Sequence, residues 1–354
     1  MSPAARAESL SLADAVERLR PPRSLEAWSP VRGCALWIVD LRGDAGELGD
    51  TLAEVVFERL SGLPCPVVGR VGATAGSRFA AAFAGRCDAL AESDLEAEAL
   101  RSGVEANPLA AFALVHLLRH GESRSVEAGL LAESTAYSTL QSGPEFRRWL
   151  EGRAARRSSP PEGEGPAVLT RRTGSMLEIL LNRPQRHNAF SVSLRDGLVE
   201  ALELARSDPG LERLVLRGRG PSFCSGGDLS EFGTLPDPAT AHAIRMTRSP
   251  ARLLAGLSDR LWAQLHGSCI GAGIELPAFA AHITARPGAC FELPELTLGL
   301  VPGAGGTISL PRRIGRQRTG WLALSGTSLD VERALAWGLV DELVAADAPL
   351  PSAD

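Results

Sequence analysis

Strand, helix and strand recur from Met176 onward, with glycine, proline or polar turns between them, and this alternation limits the fold more than any other feature. Met176–Leu181 reads as a strand. Over Ser191–Arg206, the residues Leu194, Leu198, Ala201, Leu202 and Ala205 return at helical spacing. Leu211–Arg217 and Leu261–Leu265 read as further strands, and a helix is expected from the glycine turn at Gly271 to about Ala281. Pro277 is tolerated only because it lies near the start of that helix. The pattern predicts an α/β fold with a largely parallel sheet.

The same pattern appears earlier in the chain. Ala35–Leu41 and Pro66–Val71 read as strands on either side of a helix at Thr51–Leu60. Gly62 to Ala73 parallels Gly256 to Gly267, and Ala-Phe-Ala at 82–84 parallels 278–280, which suggests an internal repeat. Arg101–Arg153 is strongly helical, with apolar stripes through Leu109, Phe112, Val115 and Leu118, then Val126, Leu130, Tyr137 and Leu140. A charged, Pro/Gly-rich segment at 154–166 reads as a linker. The expected organisation is a helical extension at 1–33, a unit at 34–153, the linker, and a second unit at 167–354.

Composition removes several function classes. The net charge of −5 over 354 residues argues against a dedicated nucleic-acid surface. All 37 basic residues are arginines, which excludes Schiff-base lysine chemistry and a Walker-type phosphate loop. The six cysteines form no CxxC pair, and no metal site is expected. Met1 to Arg20 is too polar for a signal peptide, and the apolar stretch Leu109–Leu118 is too short to span a membrane. A reduced, cytoplasmic setting is therefore expected.

Two acidic residues beside bare backbone carry the chemistry. Glu275 ends Gly271-Ala-Gly-Ile-Glu275, and Glu295 follows Pro294 ahead of Pro302-Gly-Ala-Gly-Gly-Thr307. Each has a structural alternative. Glu275 would complement a helix dipole, and Glu295 would be a solvated loop carboxylate. The turn Ser222-Phe-Cys-Ser-Gly-Gly-Asp-Leu229 offers further backbone N–H groups after a strand. Cys224 and Ser225 lack the Gly-x-Ser-x-Gly elbow of a nucleophile.

Taken in order with Asn182-Arg-Pro-Gln-Arg-His-Asn-Ala189, these motifs resemble the enoyl-CoA hydratase/isomerase (crotonase) superfamily over about residues 170–345. The resemblance implies a crotonase-like ββα superhelix core. It implies an oxyanion hole made by the backbone N–H groups of Ser225 and Ala272, with Glu275 and Glu295 holding a water between them. Ala272 replaces the family's usual glycine. Arg183 and Arg186 stand where cations would meet the phosphates of CoA, and Asp228 and Leu229 where backbone lies beside the adenine. The helix expected over Ala239–Leu254 would line the acyl pocket. No cofactor is implied beyond the CoA carried by an acyl-CoA substrate, no membrane or nucleic-acid partner is expected, and a trimer or a multiple of three is.

Family members continue into several helices after the segment resembling Ala334–Val344. Here Ala106-Asn-Pro108, Glu127–Leu131 and Gly143–Arg153 resemble those helices, placed in front. The N-terminal unit is thus expected to be a degenerate, inert crotonase-like half whose helices close the site of the second unit, with Arg148, Trp149 and Arg153 reaching toward CoA. The resulting expectation is hydration of a 2-enoyl-CoA. The alternatives are a double-bond isomerase using Glu295 as base, another acyl-CoA reaction of this superfamily, or a non-catalytic acyl-CoA-binding scaffold.

Overall fold

A computed structural model describes residues 5–22, 24–44, 46, 49–72, 77–153 and 165–345. The N-terminal part is built on four parallel strands in sequence order: β1 (Arg6–Ser11), β2 (Cys34–Asp40), β3 (Val67–Arg70) and β4 (Ala89–Ala91). Helices α1 (Leu12–Leu19), α2 (Asp50–Ser61) and α3 (Arg78–Ala84) make the crossovers. The first six residues of β2, Cys-Ala-Leu-Trp-Ile-Val, are all buried. A parallel strand covered on both faces requires such an unbroken apolar run. The expected helical extension at 1–33 is corrected in part: β1 precedes α1 and docks on the edge of β2, where unpaired backbone groups favour a strand.

The helical stretch that follows resolves into α4 (Asp94–Ala106), α5 (Pro108–Arg119), α6 (Val126–Gln141) and α7 (Pro144–Arg153). Pro108, which has no N–H to donate, ends α4 and begins α5. The carboxylate of Glu145 on α7 accepts from the N–H groups of Leu109 and Ala110 at 2.8 and 2.9 Å, which caps α5. The Ser125 hydroxyl caps α6. Most of the predicted linker, residues 154–164, lies outside the described residues.

The C-terminal part begins with β5 (Val168–Thr173), β6 (Met176–Leu181), β7 (Arg213–Gly218) and β8 (Leu261–Leu265), continuing through β9 (Ser268–Ile270), β10 (His282–Ala285), β11 (Cys290–Glu292), β12 (Leu329–Asp330) and β13 (Glu342–Leu343). Six of these form a sheet in the order β13-β10-β8-β7-β6-β5, in which only the β5–β6 pair is antiparallel. The other three form a small sheet in the order β12-β11-β9. The helices are α8 (Val192–Ser207), α9 (Pro238–Thr247), α10 (Pro250–Gly256), α11 (Ala272–Glu275), α12 (Gly306–Ile314), α13 (Arg316–Ser325) and α14 (Val331–Trp337). Two predicted helices are broken by proline. The one from Gly271 lasts a single turn as α11 and gives way at Pro277 to a 3₁₀ turn, and Pro250 divides 239–254 into α9 and α10.

The repeat has a geometric counterpart. β3 pairs with β4 as β8 pairs with β10, and each pairing opens alike. Asp88 donates its N–H to the Val67 carbonyl at 2.7 Å, and Ala281 donates to Leu261 at 3.0 Å. The two parts share one continuous core: Leu36, Ile38 and Val68 belong to the same apolar cluster as Leu300, Leu310 and Leu324. Helix α4 approaches α13 so closely at Gly103 that an added Cβ would overlap the Leu324 carbonyl oxygen. Gly103→Val should therefore lower stability by about 2 kcal/mol or more, read as a lower denaturant midpoint. An unchanged midpoint would contradict this packing.

Candidate active site

The site is built on two glycine-rich turns that meet. The Ser222–Leu229 turn is held by Asn188, which is buried with φ of 52°. Asn188 shares its two Nδ2 hydrogens among the carbonyls of Arg219, Ser222 and Phe223 at 2.9–3.1 Å, and its Oδ1 accepts the Arg183 N–H. An asparagine tolerates this left-handed backbone better than most residues. Phe190 brackets the turn from the other side: it donates to the Gly226 carbonyl and accepts from the Asp228 N–H.

This arrangement corrects the expected oxyanion donors. The Ser225 N–H is committed to the His187 carbonyl at 3.0 Å. Gly227, two residues on, lines the central cavity together with Ala272, and among the described residues neither N–H finds a backbone acceptor. Ala272 opens α11, where a helix leaves its first N–H groups unpaired. The motif marked the turn, but only the pairing of its backbone shows which N–H is already committed. Burial pushes the Cys224 thiol up to about 12, which leaves it no role as a thiolate.

Both glutamates reach the same cavity, a space of about 390 Å³. Glu275 is buried, and its Oε2 accepts from the N–H groups of Ala304 and Gly306 at 2.8 and 2.9 Å. Its main-chain carbonyl accepts from the Ser309 hydroxyl at 2.7 Å. Glu295 begins a 3₁₀ turn, and its Oε1 lies so near Gly271 that a Cβ there would overlap it. Oε2 of Glu295 is buried and receives no hydrogen bond from the described residues. A buried acceptor left in that state calls for a donor from outside the chain. Burial pushes Glu295 up to about 7. It pushes Glu275 well above the usual carboxylate range, and the charges of Glu295 and Glu133 add to the shift.

The proposed CoA cations are engaged elsewhere. Arg183 is buried, and its guanidinium donates to the carbonyls of Gly165, Pro166 and Asn182, which anchors the start of the C-terminal part. Arg186 faces Asp228 at 2.9 Å, an ion-pair contact too poorly aligned to be a hydrogen bond to that oxygen, and also donates to Ser230. Leu229 is half exposed beside them. Arg186 therefore braces the turn, and Arg183 the start of the C-terminal part. Spacing alone could not reveal that their charge is already used.

Helices α6 and α7 roof the cavity with Tyr137, Gln141, Phe146 and Leu150. Tyr137, the chain's sole tyrosine, packs against Gly303, and Arg245 of α9 lies over its ring at 4.6 Å. Trp149 stacks on Phe146 and meets Phe232, a cavity residue. Arg153 lies over Trp149, and Arg148 donates to Ala106 and Asn107, away from the cavity lining. Of α9 and α10, Pro238, Ala241 and Arg245 line the cavity, while Met246 lines a smaller adjoining cleft. A separate polar cleft of about 140 Å³ at Arg217, His266 and Arg286 shares no residue with the site.

With this geometry in view, the profile of the enoyl-CoA hydratase/isomerase family matches residues 171–352. The chain belongs to that family, and its fold is the crotonase-like α/β core closed by helices of the N-terminal part. It is 36% identical to a 2,3-dehydroadipyl-CoA hydratase of Escherichia coli, over 52% of this chain and 71% of that protein. It is 34% identical to a mevalonyl-coenzyme A hydratase of Beauveria bassiana, over 48% of this chain and 63% of that one. Among solved structures, an enoyl-CoA hydratase from Thermoplasma volcanium is 32% identical, over 51% of this chain and 72% of that chain, with a TM-score of 0.46.

Gly306 gives a direct test of the site. An added Cβ there would lie 2.6 Å from Cγ and 2.7 Å from Oε2 of Glu275, while alanine at a helix start suits the backbone. Gly306→Ala should lower thermal stability, because the displaced carboxylate leaves the N–H groups of Ala304 and Gly306 without their acceptor. It should also lower turnover of any substrate that uses Glu275, on the order of 10²-fold, through displacement of the carboxylate.

Proposed function

We propose that the chain catalyses addition of water to a 2-enoyl-CoA thioester. The observation that carries this reading is the pairing of Glu275, which is buried, with Glu295, whose Oε2 is buried, in one cavity lined also by Gly227 and Ala272, whose N–H groups find no backbone acceptor among the described residues. The thioester oxygen would accept from those two N–H groups as it gains enolate charge, where preorganised donors contribute most. One carboxylate takes a proton from the attacking water as its oxygen bonds to C3, and the other gives a proton to C2. Oε2 of Glu295, which has no donor among the described residues, suits the water. The hydratase names of the relatives support the same reaction class. An isomerase needs a single base, so the retention of both carboxylates in the cavity favours hydration.

Loss of the conjugated enoyl-thioester absorbance tests this, because hydration removes the conjugation and isomerisation to a 2-enoyl product creates it. Glu275→Gln and Glu295→Gln should each lower kcat by about 10²–10⁴-fold, with little change in binding of a saturated acyl-CoA. Normal turnover in both variants would sink the assignment.

The pH profile is a separate check. The pair must hold one proton. Below its first ionisation no base exists, and above its second no acid remains. With Glu295 raised to about 7 and Glu275 held well above the usual carboxylate range by burial and the charge of Glu295, kcat/KM should rise through an acid limb and fall again at higher pH. A rate that stays flat from pH 5 to 9 would exclude two-carboxylate catalysis.

A further inference from the structure

The third buried carboxylate of this region lies outside the family-matched segment. Glu133 of α6 is 2% exposed. Its Oε1 accepts the Gly305 N–H at 2.7 Å, and its Oε2 accepts the Thr307 N–H at 2.9 Å and the Thr307 hydroxyl at 2.7 Å. Four successive amides are therefore divided between two carboxylates. Those of Ala304 and Gly306 go to Glu275, and those of Gly305 and Thr307 go to Glu133. The alternate N–H groups of this segment serve acceptors from two different elements. Each carboxylate limits how far the segment can slide or rotate toward the other.

We propose that Glu133 is a positioning residue for the reaction, holding the 304–307 turn so that its remaining amides fix the carboxylate of Glu275. This role rests on the hydratase reading above. Glu133 lines the smaller adjoining cleft and not the catalytic cavity itself, so it acts through the turn and not on the substrate. The charged groups around it are few. Glu275 and Glu295 face it, and each is raised in part by its charge. On its own helix, Tyr137 lies one turn on. From α9, Arg245 approaches but spends its guanidinium on Ser134, Ser138 and Gln141. Arg195 and Arg248 line the adjoining cleft and are paired with Asp196.

The experiment compares wild type with Glu133→Ala and the isosteric Glu133→Gln. The glutamine keeps one acceptor but turns an N–H₂ toward a backbone donor. Both variants should lose kcat on the order of 10²-fold, with KM within about twofold. The acid limb of the pH–rate profile should move to lower pH, because removing one negative charge lets the Glu275/Glu295 pair ionise sooner. Hydrogen exchange of the 304–307 amides should accelerate in both. A merely structural role would lower thermal stability and leave the pH profile in place. If Glu133→Ala does not fold, Glu133→Gln decides. Wild-type kcat and an unmoved acid limb in a folded variant overturn this role alone. A wild-type chain that hydrates no enoyl-CoA overturns the hydratase reading, and this role with it.

Discussion

The site depends on burying carboxylates without giving them cations. Glu133 and Glu275 are both buried, and among the described residues neither has an ion-pair partner. Leaving such groups charged in the interior is costly unless donors surround them. The donors here are backbone N–H groups at the start of α12, which is also the positive end of the helix dipole. The compensation is partial, and the remaining penalty keeps the carboxylates above their usual pKa range. In the proposed hydration that residual cost is useful, because an acid and a base must coexist near neutral pH.

This dependence changes the meaning of the glycine-rich run Gly303-Ala-Gly-Gly306. In the sequence it is bare backbone that follows Glu295. In the fold its amides bind the protein's own carboxylates, while the cavity-lining residues whose N–H groups find no backbone acceptor among the described residues are Gly227 and Ala272, on other turns. Glycine is needed for close approach. Gly303 lies against the Tyr137 ring, and Gly306 against the side chain of Glu275. Any side chain there would separate the roof or the acid from the turn.

The roof is held by contacts that cross between the two parts of the chain. Asp88, buried at the start of β4, accepts from the Val67 N–H and from Arg119 of α5, and it pairs with Arg316 of α13 at 3.2 Å. A buried ion cluster of this kind contributes little net stability, but breaking it leaves an uncompensated charge, so it enforces one docking geometry. Together with the shared apolar core, it keeps α6 and α7 over the cavity within a single chain.

Much of the fold was legible because local patterning and tertiary need agree. The strands over Met176–Leu181 and Leu261–Leu265 and the helix capped by Ser191 follow from apolar periodicity and a capping hydroxyl. Prolines 250 and 277 also carried their message, and giving them full weight would have divided both predicted helices correctly. The placing of Glu275 and Glu295 in one cavity followed from motif order. Other features were hidden because they depend on direction and on partners distant in sequence. Which N–H of the Ser222–Leu229 turn is already committed depends on the His187 carbonyl. The charges of Arg183 and Arg186 are used by groups no spacing reveals. Glu133 sits in an apolar helix stripe, with no sign that its acceptors meet amides 172 and 174 positions away. The α/β alternation and the two glutamates beside bare backbone are written in local residue order. Which amides serve which carboxylate is not, because hydrogen-bond partners are settled when segments distant in sequence pack and buried donors take their acceptors.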